Sequence, residues 1–295
     1  MLPIVFQALP KWDGTYNSTA LTISKMLSEG RRVFYVEHPF SLVDRFRNPN
    51  DPRIIKRSRG ITEQPFKKHP HFTVIHPPFT LPINTLPEGR LYQSMLKGYI
   101  QKLWKRIDRV LDEHGIQQFG YVNSFDPVYF EFESEKECLY KIYHCVDLIE
   151  GESYIAKHGS EAEKRAAAQA DCVITTSQPL RKKLESFNVT TLCIPNAADF
   201  KHFNNTYPEP SEYGSLHRKR IVYTGNLGHR IDYQALMNIS VQLEDLDLIL
   251  IGPKHERYFK GNDLYRRPNV YFLGPKKYSE LPAYLHHSDV LLIPF

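Results

Sequence analysis

Two doubly wound, mostly parallel α/β sheets are the architecture this sequence predicts, and three observations predict it. Apolar strand-like runs alternate with helix-like segments from the first residues onward, the βαβ pattern of a parallel sheet with right-handed crossovers. The alternation breaks once, over residues 204–219, where Pro208, Pro210, Gly214 and polar residues replace apolar periodicity, and then restarts. The length of 295 residues suits about two domains of roughly 150 residues each. The expected organisation is an N-terminal Rossmann-like domain over 1–203, a linker over 204–219 and a C-terminal Rossmann-like domain over 220–295.

The elements follow in order. Ile4 to Leu9 is a short apolar run that reads as a first strand, followed by the polar loop Pro10 to Asn17. Ser18 to Glu29 sets Ala20, Ile23 and Leu27 on one helical face, and Gly30 stops the helix. Arg32 to Glu37 is the next strand. Ser41 to Pro70 is polar, basic and irregular, and Phe72 to His76 is a strand closed by two prolines. A long helix fits Arg90 to Glu113, with Leu91, Met95, Tyr99, Leu103, Ile107 and Leu111 at every fourth position and Gly115 after its end. Phe119 to Asn123 and Lys141 to Val146 are strands, with a short helix over Asp126 to Phe132 between them. Ser160 and Glu163 have the spacing of a capping box, opening a helix to Ala170. Strands at Asp171 to Thr175 and Thr191 to Ile194 flank a helix capped by Ser177. After the linker come strands at Arg220 to Thr224, Asp247 to Ile251, Asn269 to Leu273 and Asp289 to Pro294, with helices over Asp232 to Leu243 and Ser279 to His287. About four strands, where five or six are usual, make this second sheet look incomplete.

Composition narrows the class. With 41% hydrophobic and 24% charged residues, the chain can bury cores and is not of the disordered type. The net charge of +5 is scattered over the chain, which reads as ordinary solubility rather than a nucleic-acid stripe. The basic stretch Arg53 to Lys68 is the segment suited to contact with anionic lipid. Cys138, Cys145, Cys172 and Cys193 form no C-x-x-C pair and lack histidines at zinc spacing, so neither metal site nor disulfide framework is expected. The N-terminus has an apolar run without a basic region or cleavage site, and no apolar stretch reaches membrane-spanning length. A cytoplasmic protein, at most at the inner face of the membrane, is the expectation.

No G-x-G-x-x-G follows the first strand, and no Walker A, H-E-x-x-H or G-x-S-x-G motif occurs, which disfavours nicotinamide, NTPase, zinc-protease and hydrolase readings. Four other elements carry information. They are Ile194-Pro195-Asn196-Ala197-Ala198-Asp199 with Phe203 behind it; Ile221 to Asp232, through Tyr223-Thr224-Gly225-Asn226-Leu227 and Arg230; Leu248 to Pro253; and Asn269 to Gly274 with Tyr278 to Leu285 and Ser288 to Pro294. In this order and spacing they resemble the GT-B glycosyltransferases of family 4 (glycosyl transferases group 1), across nearly the whole chain. Trp12-Asp13 and the stretch RRVFYVEHP ending at Pro39 resemble a bacterial subgroup that builds surface polysaccharides such as teichuronic acid.

The resemblance implies two Rossmann-like domains facing a cleft, with a nucleotide-sugar on the C-terminal half and a saccharide or lipid-linked acceptor on the N-terminal half. It implies a transferase that retains anomeric configuration, uses the donor phosphate to assist proton transfer and needs neither cofactor nor metal. Nucleic acid is not an expected partner.

Gly225 and Asn226 form the expected phosphate loop, where glycine lets the backbone approach a ligand and the following helix favours an anion. Arg230 offers a bidentate phosphate contact. Gly252 and Lys254 end a buried strand at the same sheet edge, where ligands of such sheets bind. Pro275 and Tyr278 follow another strand, and by resemblance border the nucleotide base. On the acceptor side the candidates are Asp13, Asn123 and Asp126. Asp147, at the end of a strand, is the candidate catalytic carboxylate, one position beyond Val146 where relatives carry histidine. Asp232 is expected to cap its helix, and His144 to be packed.

The family's E-x7-E signature would lie beyond Phe295, so the C-terminal domain is expected to be incomplete and the chain, as written, a poor binder of donor and C-terminally truncated. The alternatives are a non-catalytic relative that binds a saccharide or a partner, and a GT-B sugar-nucleotide epimerase.

Overall fold

The computed structural model describes residues 1–9, 18–151 and 155–295, with only the backbone described at 53, 59 and 156. It divides into two compact units, Met1–Asn196 and Ala197–Phe295.

The first unit is an eight-stranded sheet. Its strands are β1 (Ile4–Ala8), β2 (Val33–Glu37), β3 (Thr62–Glu63), β4 (Phe72–Ile75), β5 (Gln118–Ser124), β6 (Glu137–Cys145), β7 (Cys172–Thr175) and β8 (Thr191–Cys193). They lie in the order β3-β4-β2-β1-β5-β6-β7-β8, parallel throughout except for the two-residue edge strand β3. The chain winds outward from β1 through β2 to β4, then returns to place β5 beside β1. The reversal between β1 and β5 is the topological switch point, the place where open α/β sheets open a crevice at their carboxyl ends.

Helices connect the strands. Helix α1 (Thr19–Ser28) starts where the Ser18 hydroxyl accepts from the Leu21 amide at 3.1 Å. The segment that looked irregular holds α2 (Leu42–Arg47), with a reciprocal cap between Ser41 and Asp44, and α3 (Pro52–Arg59). In the long helix α4 (Arg90–Glu113) the core face holds Tyr92, Leu96, Tyr99, Leu103, Trp104, Ile107 and Leu111, while Leu91 is 65% exposed. An every-fourth-residue stripe drifts by about 40° per step at 3.6 residues per turn. Five steps back from Leu111, Leu91 has left the buried face, and Tyr92 and Leu96 take its place.

Helix α5 (Ala156–Gln169) begins a turn before Ser160, so the expected capping box is not one. Ser160 instead bonds Glu150 at 3.1 Å, and Glu163 is buried against Tyr143 and Lys183. Helix α6 (Gln178–Leu184) completes the unit.

The second unit carries α7 (Phe200–Phe203), β9 (Lys219–Thr224), α8 (Tyr233–Gln242), β10 (Leu246–Ile251), β11 (Val270–Gly274), α9 (Leu281–His286) and β12 (Val290–Leu291). Its parallel sheet runs β11-β10-β9-β12. Residues 204–219, expected as a linker, contribute Tyr213 and Leu216 to a core with Val222, Ile249 and Tyr284. The Arg220 guanidinium covers the Tyr213 ring at 4.6 Å. Among the described residues no helix is long and apolar enough to cross a membrane.

Candidate functional site

In the second unit, parallel pairing places Thr224, Ile251 and Gly274 in one row at the carboxyl edge of the sheet. The residues after them form the first half of the candidate site. The Gly225 amide donates to Ile251 O at 2.9 Å and the Gly252 amide to Gly274 O at 2.9 Å. Gly252 has φ of 145°, and a Cβ added there would sit 1.8 Å from Gly225 O. Two loops therefore touch backbone to backbone, which only glycine permits. Leu227 pairs with Lys254 in the next rung, and the Leu227 amide donates to Pro253 O at 3.0 Å. Gly225, Gly252 and Lys254 are thus brought together, with Asn226 exposed on the same loop and Pro275 directly after Gly274. The Gly225 and Gly252 amides are used inside this lattice, so the two glycines act through close approach rather than as donors to a ligand.

Arg230 lies exposed further along the same loop. Asp232 is the N-cap of α8, accepting from the Ala235 amide at 2.9 Å. The Lys254 ammonium lies 3.3 Å from Glu256 and near the rings of Phe259 and Tyr265. Its hydrogen bond to Glu256 is the main cause holding its pKa above the ordinary lysine range. Tyr278 is 43% exposed, and its ring stacks on His202 at 4.6 Å with Phe203 edge-on. The His202 ring also bonds Tyr278 O at 3.0 Å. The helix after the Pro195-Asn196 motif therefore supports the aromatic residue that follows β11.

In the first unit the row across the sheet is Glu37, Ala8, Ser124 and His144. Beyond it, at the switch point, the chain turns through Phe125, the one described non-glycine residue with positive φ, 58°. Asp126 follows, wholly buried. Asn123 fixes this turn: its carbonyl oxygen accepts from the Asp126 amide at 3.0 Å, and its amide donates to Asp126 O at 3.0 Å. Gln7 donates to Asp126 Oδ2 at 3.4 Å, and the Tyr121 hydroxyl donates to Gln7 Oε1 at 2.9 Å. His38, directly after β2, places Nδ1 3.2 Å from both Asp126 oxygens. Burial, with the Asp126 charge nearby, keeps the phenols of Tyr121 and Tyr129 protonated far above their ordinary range.

Asn123 and Asp126, read as acceptor-side residues, are therefore parts of one buried network. Gln7, Tyr121 and His38 were not singled out from the sequence. A signal existed in Gln7, a polar residue inside the fully buried strand IVFQA, and in His38, at a strand's carboxyl end. Asp13 lies outside the described residues. Asp147 is exposed two residues past β6, where its Oδ1 accepts from the Leu148 amide at 2.8 Å. His144 is buried and bonds the Ser124 hydroxyl at 3.0 Å; burial lowers its pKa to about 4. Among the described residues no group of His, Cys, Asp or Glu could hold a metal ion.

Comparison with known proteins places these features. No protein-family model matches the chain. In an alignment 170 residues long that covers 52% of the chain, the sequence is 25% identical to the "Putative teichuronic acid biosynthesis glycosyltransferase TuaH" of Bacillus subtilis. That stretch spans 43% of the relative, less than half its length. Among solved structures, sucrose-phosphate synthase from Thermosynechococcus elongatus superposes over 100% of this chain and 77% of its own, with a TM-score of 0.62 and 16% identity. Anabaena HepE in complex with UDP gives a TM-score of 0.61 and 15% identity over 98% of this chain and 73% of its own. A UDP-N-acetylglucosamine 2-epimerase gives a TM-score of 0.50 and 12% identity over 98% and 73%. These likenesses show the fold alone, the GT-B fold that these solved glycosyltransferases and the epimerase share. The fold alone does not separate a transferase from an epimerase.

Proposed function

We propose that the protein is a glycosyltransferase that moves a sugar from a nucleotide-sugar to a saccharide or lipid-linked acceptor in the synthesis of a cell-envelope polysaccharide. The observation that carries the donor half is the convergence of Gly225, Gly252 and Gly274 at one sheet edge, with Gly252 against Gly225 O. The Gly225–Gly252 contact there is made by backbone alone, and in this reading the diphosphate lies beside it at the carboxyl edge of the sheet. In this reading Arg230 grips the phosphates and Lys254 adds positive charge. Tyr278, backed by His202, flanks the base. The donor is the substrate, and no metal or cofactor is required. The switch-point network with Asn123 and Asp126 lies on the acceptor side, and Asp147 offers a carboxylate to a sugar hydroxyl. The protein works in the cytoplasm, at the inner membrane face when its acceptor is lipid-linked.

Two properties support the class. The chain shares its fold with solved glycosyltransferases, and over about half its length it resembles a protein named for teichuronic acid synthesis. The test is calorimetric titration with UDP and with UDP-, GDP- and TDP-sugars. Arg230→Ala should weaken nucleotide binding by about 1.5–3 kcal/mol, the range of a charge-assisted hydrogen bond. An unchanged affinity would remove Arg230 from the site.

A further inference from the structure

We propose that the outward face of α4 docks the first unit on the surface of an anionic lipid bilayer. The inference rests on the lipid-linked acceptor of the transferase reading, and it names the surface on which the protein meets the membrane that carries it.

Charge that is scattered along the sequence is gathered on this one helix. From Arg90 to Ile107, α4 has no acidic residue. At about 100° per residue, Arg90, Lys97, Lys102, Lys105 and Arg109 fall within an arc of roughly 140° that runs along roughly 28 Å of helix. All five are exposed, while the opposite side packs Leu96, Leu103, Trp104 and Ile107 into the core. Arg109 is answered by Glu113 at 3.2 Å. Among the described residues no carboxylate pairs with Arg90, Lys97, Lys102 or Lys105. The acids nearby are engaged elsewhere: Glu88 with His158, Asp108 with the Ser134 hydroxyl and Asp112 with Lys136. Like charges along one face repel, and a polyanionic surface relieves that repulsion.

The apolar residues around the cations favour lipid over nucleic acid. Leu91 lies within the cationic arc and is 65% exposed. Leu81 is 49% exposed, just before the turn Ile83–Thr85 that packs against α4. Leucines among long basic side chains suit a boundary between headgroups and acyl chains. Single-stranded nucleic acid is held by cations together with aromatic rings that stack on bases, and the aromatic residues of α4, Tyr92, Tyr99 and Trp104, are all buried. The stretch Arg53 to Lys68, which the sequence suggested for lipid contact, offers less. Its Ile54 and Arg57 are buried, Arg57 on Glu37, and Lys56 pairs with Glu63 at 3.0 Å.

Sedimentation of the full chain with vesicles tests this. The protein should bind vesicles of phosphatidylcholine mixed with phosphatidylglycerol, and not those of phosphatidylcholine alone. Binding should vanish at about 1 M salt, where screening acts within about 3 Å. At about fivefold in affinity for each cation near the surface, changing Lys97, Lys102 and Lys105 together to Gln should weaken binding by about 100-fold. These lysines are exposed, so the triple variant should keep the wild-type urea midpoint and the wild-type Kd for UDP-glucose. Leu91→Trp should show blue-shifted emission with the anionic vesicles only. No vesicle binding by the wild type, equal binding to both vesicles, or wild-type binding by the triple variant would overturn the proposal. So would capture of a single-stranded oligonucleotide more tightly than of the anionic vesicles, which would make the face a nucleic-acid surface. UDP-glucose binding, measured on the same samples, separates the two readings. Donor binding without vesicle binding would sink the docking face alone. Vesicle binding without donor binding would sink the transferase reading and leave the face standing.

Discussion

Gly252→Ala should damage the second unit more than any other single-methyl change at its sheet edge. The added Cβ would lie 1.8 Å from Gly225 O, where ordinary contact begins at 3.4 Å. The Gly225 loop must therefore retreat by about 1.6 Å, since neither atom belongs to a side chain that can swing away. Retreat stretches the Gly225–Ile251 and Gly252–Gly274 hydrogen bonds, worth ~1 kcal/mol each. The backbone at φ of 145° adds roughly 1–3 kcal/mol of strain once a side chain is present. The sum is about 3–5 kcal/mol, a large share of the ~5–15 kcal/mol that holds a domain together.

Gly274→Ala is the internal control. Its φ of 67° carries a backbone cost, but nothing lies within 4 Å of the added methyl, so about 1–2 kcal/mol is expected. Urea unfolding of both variants, read by tyrosine fluorescence and circular dichroism, gives the difference directly. Gly252→Ala should be the less stable by at least ~2 kcal/mol and should lose UDP binding under conditions where it remains folded. Equal destabilisation by the two substitutions would refute the close-approach argument.

Two further outcomes are expected. Glu37→Gln removes the charge facing Arg57, whose side chain is only 3% exposed, and should cost about 3–5 kcal/mol in urea unfolding; the double change Glu37→Leu with Arg57→Met should cost clearly less. His144 has a folded-state pKa of about 4, against an ordinary 6.5. Between those values the unfolded chain binds a proton that the folded chain refuses, so stability falls as pH drops from about 7 to 4, by roughly 3 kcal/mol. His144→Gln should flatten that part of the wild-type stability–pH curve, and an identical slope in the two proteins would contradict the assignment.

The order of strands and helices was legible because most of it is written in period. Helix α4 has the expected bounds, Arg90–Glu113, since 24 residues of amphipathic pattern outweigh any local ambiguity. Asp232 caps α8 as its position suggested. The short helices α2 and α3 were hidden because each spans fewer than three turns in a stretch rich in basic residues, and Asp44, rather than Glu or Gln, closes the cap of α2. The capping-box reading of Ser160 failed because helix propagation from Ala156 had already made that serine interior.

The candidate site divides in the same way. Gly225 and Gly252 follow from strand ends and loop motifs that sit close together in sequence. The network of Gln7, His38, Tyr121 and Asp126 joins residues up to 119 positions apart, and no local pattern encodes it. It exists because β2, β1 and β5 are neighbours in the sheet, a fact of topology rather than of any one segment.

The most direct measurement is isothermal titration of the protein with UDP, GDP and TDP and their common sugars, repeated with Arg230→Ala and Gly252→Ala. A donor site built from Gly225, Arg230, Gly252 and Lys254 predicts saturable binding of at least one nucleotide-sugar, weakened in both variants. No saturable binding of any of them by the full-length natural protein would contradict the glycosyltransferase reading at its foundation.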